Sequence, residues 1–160
     1  NYDDNFFESF DEVLTKYNEI VKRITLSGPT SFSPIIQKSI DIIKSKQQII
    51  SGNNNNSNVS IGNSTICKYP FHILFIIADG KVSVENESDT IKSIIEASEY
   101  PLSIVMVGVG DGPFDTMIKF DDRLCNKSKF DNFQFVNFHQ TIRNSKTPDA
   151  AFALKALMEI

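Results

Sequence analysis

The stretch Phe71-His72-Ile73-Leu74-Phe75-Ile76-Ile77-Ala78 is almost continuously apolar and ends at the pair Asp79-Gly80. A second apolar run, Leu102-Ser103-Ile104-Val105-Met106-Val107-Gly108-Val109, is followed in the same way by Gly110-Asp111-Gly112. Neither run alternates apolar with polar residues, as a strand with one solvent-facing side does. Continuous apolar segments of this kind are typical of parallel strands that are covered on both faces. The two runs therefore predict neighbouring strands inside a parallel sheet.

The segment between the two runs has the pattern of a helix. Ile91, Ile94 and Ile95 share one helical face, and Ser88 or Asp89 is placed to cap the start of this helix. A strand, a helix and a strand in this order indicate an α/β fold. We expect an interior parallel sheet whose two neighbouring strands are joined by a right-handed crossover.

Periodicity in the rest of the chain predicts four further helices and one further strand. The helices are expected over 9–24, 33–50, 113–120 and 148–160, and an aromatic strand nearer the sheet edge over 133–138. The amphipathic pattern of the first helix indicates that it packs against another element. The Asn-rich segment 52–68 lacks the apolar surface that would offset its ordering entropy, so we expect a disordered insert there.

Length and composition limit the function classes. With 160 residues, 41% of them hydrophobic, the chain is long enough for one domain with a substantial core. A net charge of -4 with scattered Lys and Arg gives no support to nucleic-acid binding, and no apolar run is long enough for a transmembrane segment. Two cysteines, Cys67 and Cys125, are too few for a disulfide framework or a four-ligand zinc site. We therefore expect an intracellular, cytoplasmic protein, with the nucleus or the periphery of a membrane as alternatives.

Oxygen-bearing side chains near the predicted carboxyl edge of the sheet point to a site for a hard divalent cation. Ligands of open parallel α/β sheets bind beyond the carboxyl ends of the strands, which is where Asp79 falls. Thr30 lies in a Gly-Pro-Thr-Ser turn before a predicted helix, where its hydroxyl can either cap that helix or ligate a metal. Asp79 can equally form a turn or a cap, and Asp111 is more typical of a turn. Thr30 and Asp79 are therefore the candidate ligands of Mg²⁺ or Ca²⁺.

The glycine-rich stretch 108–112 allows a different function, that of a small nucleotide-binding α/β protein. Its spacing is not that of a G-x-G-x-x-G loop, and Pro113 follows at once, so this signal is weak. Covalent catalysis has less support, because His72 and His139 border predicted strands without a nucleophile elbow beside them. This segment offers no set of acid, base and nucleophile, and whether the parent protein is an enzyme stays open at this point.

The segments 28–32 (GPTSF), 76–80 (IIADG), 102–110 (LSIVMVGVG) and 130–138 (FDNFQFVNF) follow one another along the chain. In this order they resemble the von Willebrand factor A-like (vWA) domain of copines. The last of them, with the ending 156–160 (ALMEI), is closer still to the domain of copine-like RING E3 ubiquitin ligases. The resemblance implies that residues 1–160 are a partial copine-type domain of the vWA, Rossmann-like class, whose first three strands lie before Asn1. It also implies a doubly wound, mostly parallel sheet with helices on both faces.

The resemblance also implies a metal-ion-dependent adhesion site (MIDAS). In the family this site combines an Asp-x-Ser-x-Ser motif after the first strand, a threonine in a later loop and an aspartate after the fourth strand. Thr30 and Asp79 match the threonine and the aspartate, and no Asp-x-Ser-x-Ser motif follows an apolar strand here. The Mg²⁺ or Ca²⁺ site is therefore expected to be incomplete in this chain, and its partner to be a protein that offers an acidic residue.

The function implied by the resemblance is metal-dependent recruitment of a partner or substrate by a copine-like RING E3 ubiquitin-protein ligase. Contact with a ubiquitin-conjugating (E2) enzyme would then come through the parent protein, which would be an E3 ubiquitin-protein transferase. The alternative within the family is the vWA domain of a copine, a calcium-dependent phospholipid-binding protein. The RING and C2 modules that carry those activities do not lie within these residues.

Overall fold

A computed structural model describes residues 7–25, 29–52, 58–61, 64–67, 70–80, 82–124, 128–143 and 145–158. The helices are α1 (Phe10–Val21), α2 (Ser33–Gly52), α3 (Val84–Ala97), α4 (Asp115–Leu124), α5 (Phe138–Arg143) and α6 (Pro148–Leu157). The strands are β1 (Asn58–Ile61), β2 (Ser64–Cys67), β3 (His72–Ala78), β4 (Leu102–Gly108) and β5 (Phe133–Asn137). Within these ranges, no helix has both the length and the apolar character that crossing a bilayer requires.

Strand β4 lies between β3 and β5 in a parallel sheet. All of its residues are buried, as expected for an apolar strand with helices on both sides of the sheet. The register pairs Ala78 with Gly108 and Gly108 with Asn137, so the three strands end level with one another. The predicted α/β class is confirmed, and the carboxyl ends of the three strands form one edge.

Helices cover the two faces of the sheet to different extents. Helices α2, α3 and α4 enclose a large apolar cluster on one face, with buried side chains that include Ile36, Ile40, Ile94, Ile104, Met106 and Phe120. A smaller cluster lies on the other face, formed by Val105, Val107, Val136 and Ala156, with Phe152 of α6 packed against it. Because side chains alternate along a strand, β4 supplies both clusters and joins the two halves of the core.

Strand β3 departs from the prediction that both of its faces are covered. Ile76 is 8% exposed and belongs to the larger cluster, whereas Ile77 is 72% exposed. Ile73 and Phe75, on the same face as Ile77, are exposed too. The physical reason is that, among the described residues, β3 is an edge strand and the cluster beneath α6 contains no residue of β3.

Helix α1 is amphipathic, as predicted, but none of its residues is buried. Phe10 is 73% exposed and Tyr17 is 62% exposed. The Ser9 side chain caps the helix by accepting the N–H of Glu12 at 3.3 Å. The described part of the chain provides no element that covers its apolar face, so the expected packing is not seen there.

Two short strands occur where the composition predicts a disordered insert over 52–68. Strands β1 and β2 pair antiparallel, with Asn58 opposite Cys67 and Ile61 opposite Ser64. These two segments hold the β-branched residues of the insert, which favour extended structure. Residues 53–57, 62–63 and 68 lie outside the described part of the chain.

Several helix boundaries differ from the sequence prediction, among them the end of α1 at Val21 instead of residue 24. Helix α3 begins at Val84 with Ser83 in the cap position, instead of Ser88 or Asp89, because the Ser83 carbonyl already accepts an N–H of the first turn. Helix α4 continues to Leu124 because that side chain is buried in the larger cluster.

Replacing the neighbouring residues Ile76 and Ile77 by alanine tests whether only one face of β3 is covered. Ile76→Ala removes buried atoms from the larger cluster and should lower the free energy of unfolding by about 2–5 kcal/mol. Ile77→Ala shortens a side chain that is already exposed and should change that free energy by less than about 1 kcal/mol. Urea unfolding followed by circular dichroism measures both values. Equal losses in the two variants would contradict the exposed face.

Candidate functional site

Asp79 lies at the carboxyl end of β3, beside the loop that follows β4. The N–H of Val109 donates to the carbonyl of Ala78 at 2.9 Å, which continues the contact of the two strands past their ends. A Cβ added at Gly110 would lie 3.7 Å from the Cβ of Asp79. The exposed Asp79 carboxylate is therefore flanked by a residue without a side chain, which leaves the space beside it open.

Thr30 is tied through its backbone to the segment that follows Asp79. The Thr30 carbonyl accepts a hydrogen bond from the N–H of Ser83 at 3.2 Å and from the side-chain amide of Asn86 at 3.3 Å. Ser83 and Asn86 belong to the start of α3, so the turn that carries Thr30 is joined to the beginning of the helix that follows β3. Within the described part of the chain, neither the Thr30 hydroxyl nor the Asp79 carboxylate forms a hydrogen bond. Both side chains are exposed and available to a ligand.

Polar contacts between α2 and α3 fix the position of the Thr30 turn. The hydroxyl of Ser33, in the first turn of α2, shares a hydrogen bond of 2.8 Å with the hydroxyl of buried Ser93. Gln37 donates from its amide to Ser93 at 3.2 Å and to Glu96 at 2.8 Å. The Ser33 hydroxyl therefore links two helices.

Lys44 lies farther along the same interface. Its ammonium group is 3.7 Å from a carboxylate oxygen of Glu96 and 5.1 Å from the centre of the Tyr100 ring. The pKa of Lys44 is raised above its ordinary value, first by its side-chain interaction with Tyr100 and further by the nearby charges of Glu96 and Asp41. Lys44 is therefore charged at neutral pH, and because the ion pair is exposed, it contributes little to stability.

The oxygens of Thr30 and Asp79 fit a hard cation in type but not in number. Mg²⁺ and Ca²⁺ bind carboxylate and other oxygen ligands and take about six to eight of them. Across the described ranges, no group of three or more His, Cys, Asp and Glu side chains is placed to hold a metal ion. A cation held by Thr30 and Asp79 would have to complete its shell with water and with oxygens from outside the described residues.

The loop after β4 is shaped by aromatic packing beneath it. A Cβ at Gly108 would lie 2.9 Å from Phe114 Cε1 and 3.0 Å from Phe135 Cε2, and the two rings are 5.5 Å apart. Gly110 and Gly112 have φ values of 82° and 78°, in the left-handed region that favours glycine. These glycines serve close packing and a tight turn, and Gly108 faces aromatic rings instead of an open phosphate site.

A cleft of about 560 Å³ opens between this turn and α5. Its lining comprises Gly110 and Asp111 from the turn, Phe114 and Asn137, and His139, Gln140 and Arg143 from α5.

The sequence predicts a strand through Phe138, but α5 starts there. Asn137 Oδ1 accepts the N–H of Gln140 at 3.0 Å and so caps α5. His139, which follows the predicted aromatic strand, is exposed in this cleft. The spacing Asn-x-x-Gln, close to a capping box, is the signal that could have revealed the helix.

Gly108→Ala and Gly80→Ala test how tightly the edge is packed. The methyl group at Gly108 would press on two rings and should lower the free energy of unfolding by about 1–3 kcal/mol. Gly80 follows β3 at the same edge, but its added Cβ would meet no atom within 4 Å, so Gly80→Ala should change stability by less than about 1 kcal/mol. Thermal and urea unfolding of both variants provide the comparison. A neutral Gly108→Ala would show that the aromatic rings do not pack as described.

Comparisons with known proteins place the chain among relatives of two kinds. The Copine family model matches residues 1–160. Copine family protein 2 of Caenorhabditis elegans is 46% identical over 151 residues, which are 94% of this chain and 2% of that protein. E3 ubiquitin-protein ligase RGLG5 of Arabidopsis thaliana is 44% identical over 173 residues, which cover 100% of this chain and 35% of the ligase. E3 ubiquitin-protein ligase RGLG2 of the same plant is 42% identical, covering 100% of this chain and 32% of the ligase. The chain thus spans about a third or less of the length of these relatives.

Proposed function

Because this chain belongs to the copine family, we propose that it is a protein-binding module that holds its partner through a divalent cation. The observation that supports this function is the link between the Thr30 turn and the segment after Asp79. Hydrogen bonds from Ser83 and Asn86 to the Thr30 carbonyl join the turn of one candidate ligand to the start of α3, and α3 follows the strand that ends beside the other candidate. Crevices at the carboxyl ends of parallel strands are the usual binding positions of such folds.

The chemistry of the proposed site is coordination by oxygen. The Asp79 carboxylate and the Thr30 hydroxyl bind Mg²⁺ or Ca²⁺, and an acidic side chain of the partner adds a further oxygen ligand. With only these two ligands among the described residues, the cation is held weakly until the partner completes its shell. Partner binding and cation binding therefore strengthen each other.

We assign the partner-binding role to a ubiquitin ligase of the copine-like type, in which the bound protein is a substrate. RGLG5 and RGLG2 support this assignment, since each matches all of this chain at 42–44% identity. The similarity to Copine family protein 2 supports a second candidate, the corresponding domain of a copine.

The coding sequence of the full transcript separates the two candidates. A RING module, with its closely spaced zinc-binding Cys and His residues, on the C-terminal side supports the ligase. C2 domains on the N-terminal side without a RING module would contradict the ligase and support the copine.

Calorimetric titration with MgCl₂ and CaCl₂ tests the cation site. We expect millimolar affinity for the wild type, and Asp79→Asn should weaken it at least about tenfold, because the variant loses the only carboxylate of the candidate pair. Asp149→Asn is the matched control, since Asp149 is an exposed carboxylate in the first turn of α6 and outside the candidate pair. Equal cation affinity in Asp79→Asn and wild type would contradict the assignment.

A further inference from the structure

The cleft between the turn after β4 and helix α5 carries charged side chains of opposite sign. Asp111 belongs to the turn, and Arg143 belongs to the last turn of α5. Within the described part of the chain, these two side chains form no ion pair with each other or with another residue. Opposite charges that are not neutralised across a cleft favour a ligand that carries both signs of charge.

Asp111 and Arg143 both lie on segments with a defined backbone structure, a glycine turn and a capped helix. Arg143 and His139 are separated by one turn of α5 and lie on the same side of it, and the Asn137 side chain caps this helix. Asp111 lies between two glycines whose positive φ values define the turn. Charged groups supported in this way discriminate between ligands better than groups on flexible segments.

We propose that this cleft binds an extended segment of a partner protein in which an acidic side chain lies next to a basic one. Arg143 binds the carboxylate as a planar donor, and Asp111 binds the basic group. A phosphate-rich ligand fits less well, because the Asp111 carboxylate repels it. The inference rests on the proposed protein-binding function but requires no metal ion. Gly110 lines the cleft and also flanks Asp79, so one partner can reach both places.

Titration of ¹⁵N-labelled protein with four short peptides tests the two charge assignments. The acetylated and amidated hexapeptide Gly-Gly-Glu-Lys-Gly-Gly is compared in EDTA with its Glu-Gln, Gln-Lys and Gln-Gln counterparts. The Glu-Lys peptide should shift the amide signals of residues 110–111 and 139–143. Each charge should improve its affinity about two- to fivefold over the neutral amide, as expected for exposed ion pairs.

Two variants separate the roles of the charges. Arg143→Gln should lose the preference for Glu over Gln but keep the preference for Lys over Gln, and Asp111→Asn should show the reverse. Lys146→Gln is the matched control, because Lys146 is an exposed cation shortly after α5 that does not line the cleft. It should keep both preferences, and unshifted spectra away from the cleft show that each variant is folded.

Three outcomes would overturn the proposal. The Arg143→Gln variant could retain the wild-type preference for Glu, the peptides could shift signals only in other parts of the chain, or the peptides could cause no response at all. Shifts at the same amides with ATP alone would assign the cleft to a nucleotide instead. Because EDTA is present throughout, failure of the peptides leaves the cation site to its own test, and loss of cation binding in Asp79→Asn leaves this result unchanged.

Discussion

The burial of β4 on both faces is the constraint on which the rest of this structure depends. All of its residues are buried, and it supplies side chains to both apolar clusters. Its parallel neighbours are therefore aligned by packing as well as by hydrogen bonds. The register that pairs Ala78 with Gly108 and Gly108 with Asn137 then brings three strand ends to one edge. Asp79, the glycine turn and the cap of α5 are close together because of this alignment.

Close packing and open surface meet at that edge. Gly108 is pressed against aromatic rings, whereas Gly110 leaves room beside Asp79 and in the cleft next to it. The hydrogen bonds to the Thr30 carbonyl add the turn before α2 to the same region. Exposed polar groups that are supported by closely packed residues are suited to binding another molecule. Both proposed sites therefore depend on the same strand ends.

The sequence predicted most of the fold because its strongest signals were local. Two continuous apolar runs identified β3 and β4, and the isoleucine periodicity identified α3. Coverage of a face could not be predicted in this way. Ile77 and the apolar side of α1 have the composition of buried surface, yet both are exposed among the described residues. An apolar pattern reports that a side chain can be buried, but the neighbouring elements decide whether it is.

Sequence analysis identified the candidate cation ligands but not the cleft beside them. Asp79 and Thr30 stood out because each follows or precedes a clear element, and they remain the proposed ligands. The cleft residues Asp111 and Arg143 were not linked by the sequence, because helix α5 is short and its start was hidden in an aromatic strand pattern. Their proximity depends on tertiary structure, which neither spacing nor composition reveals.

The most direct test of a cation at this edge is paramagnetic broadening by Mn²⁺ in a ¹⁵N-resolved NMR spectrum. Substoichiometric Mn²⁺ should broaden the amide signals of residues 30–31, 79–80 and 110–111 first, and excess Mg²⁺ should restore them. Broadening that begins instead at another acidic region, such as Asp11 and Glu12 of α1, while these signals stay sharp, would contradict the site.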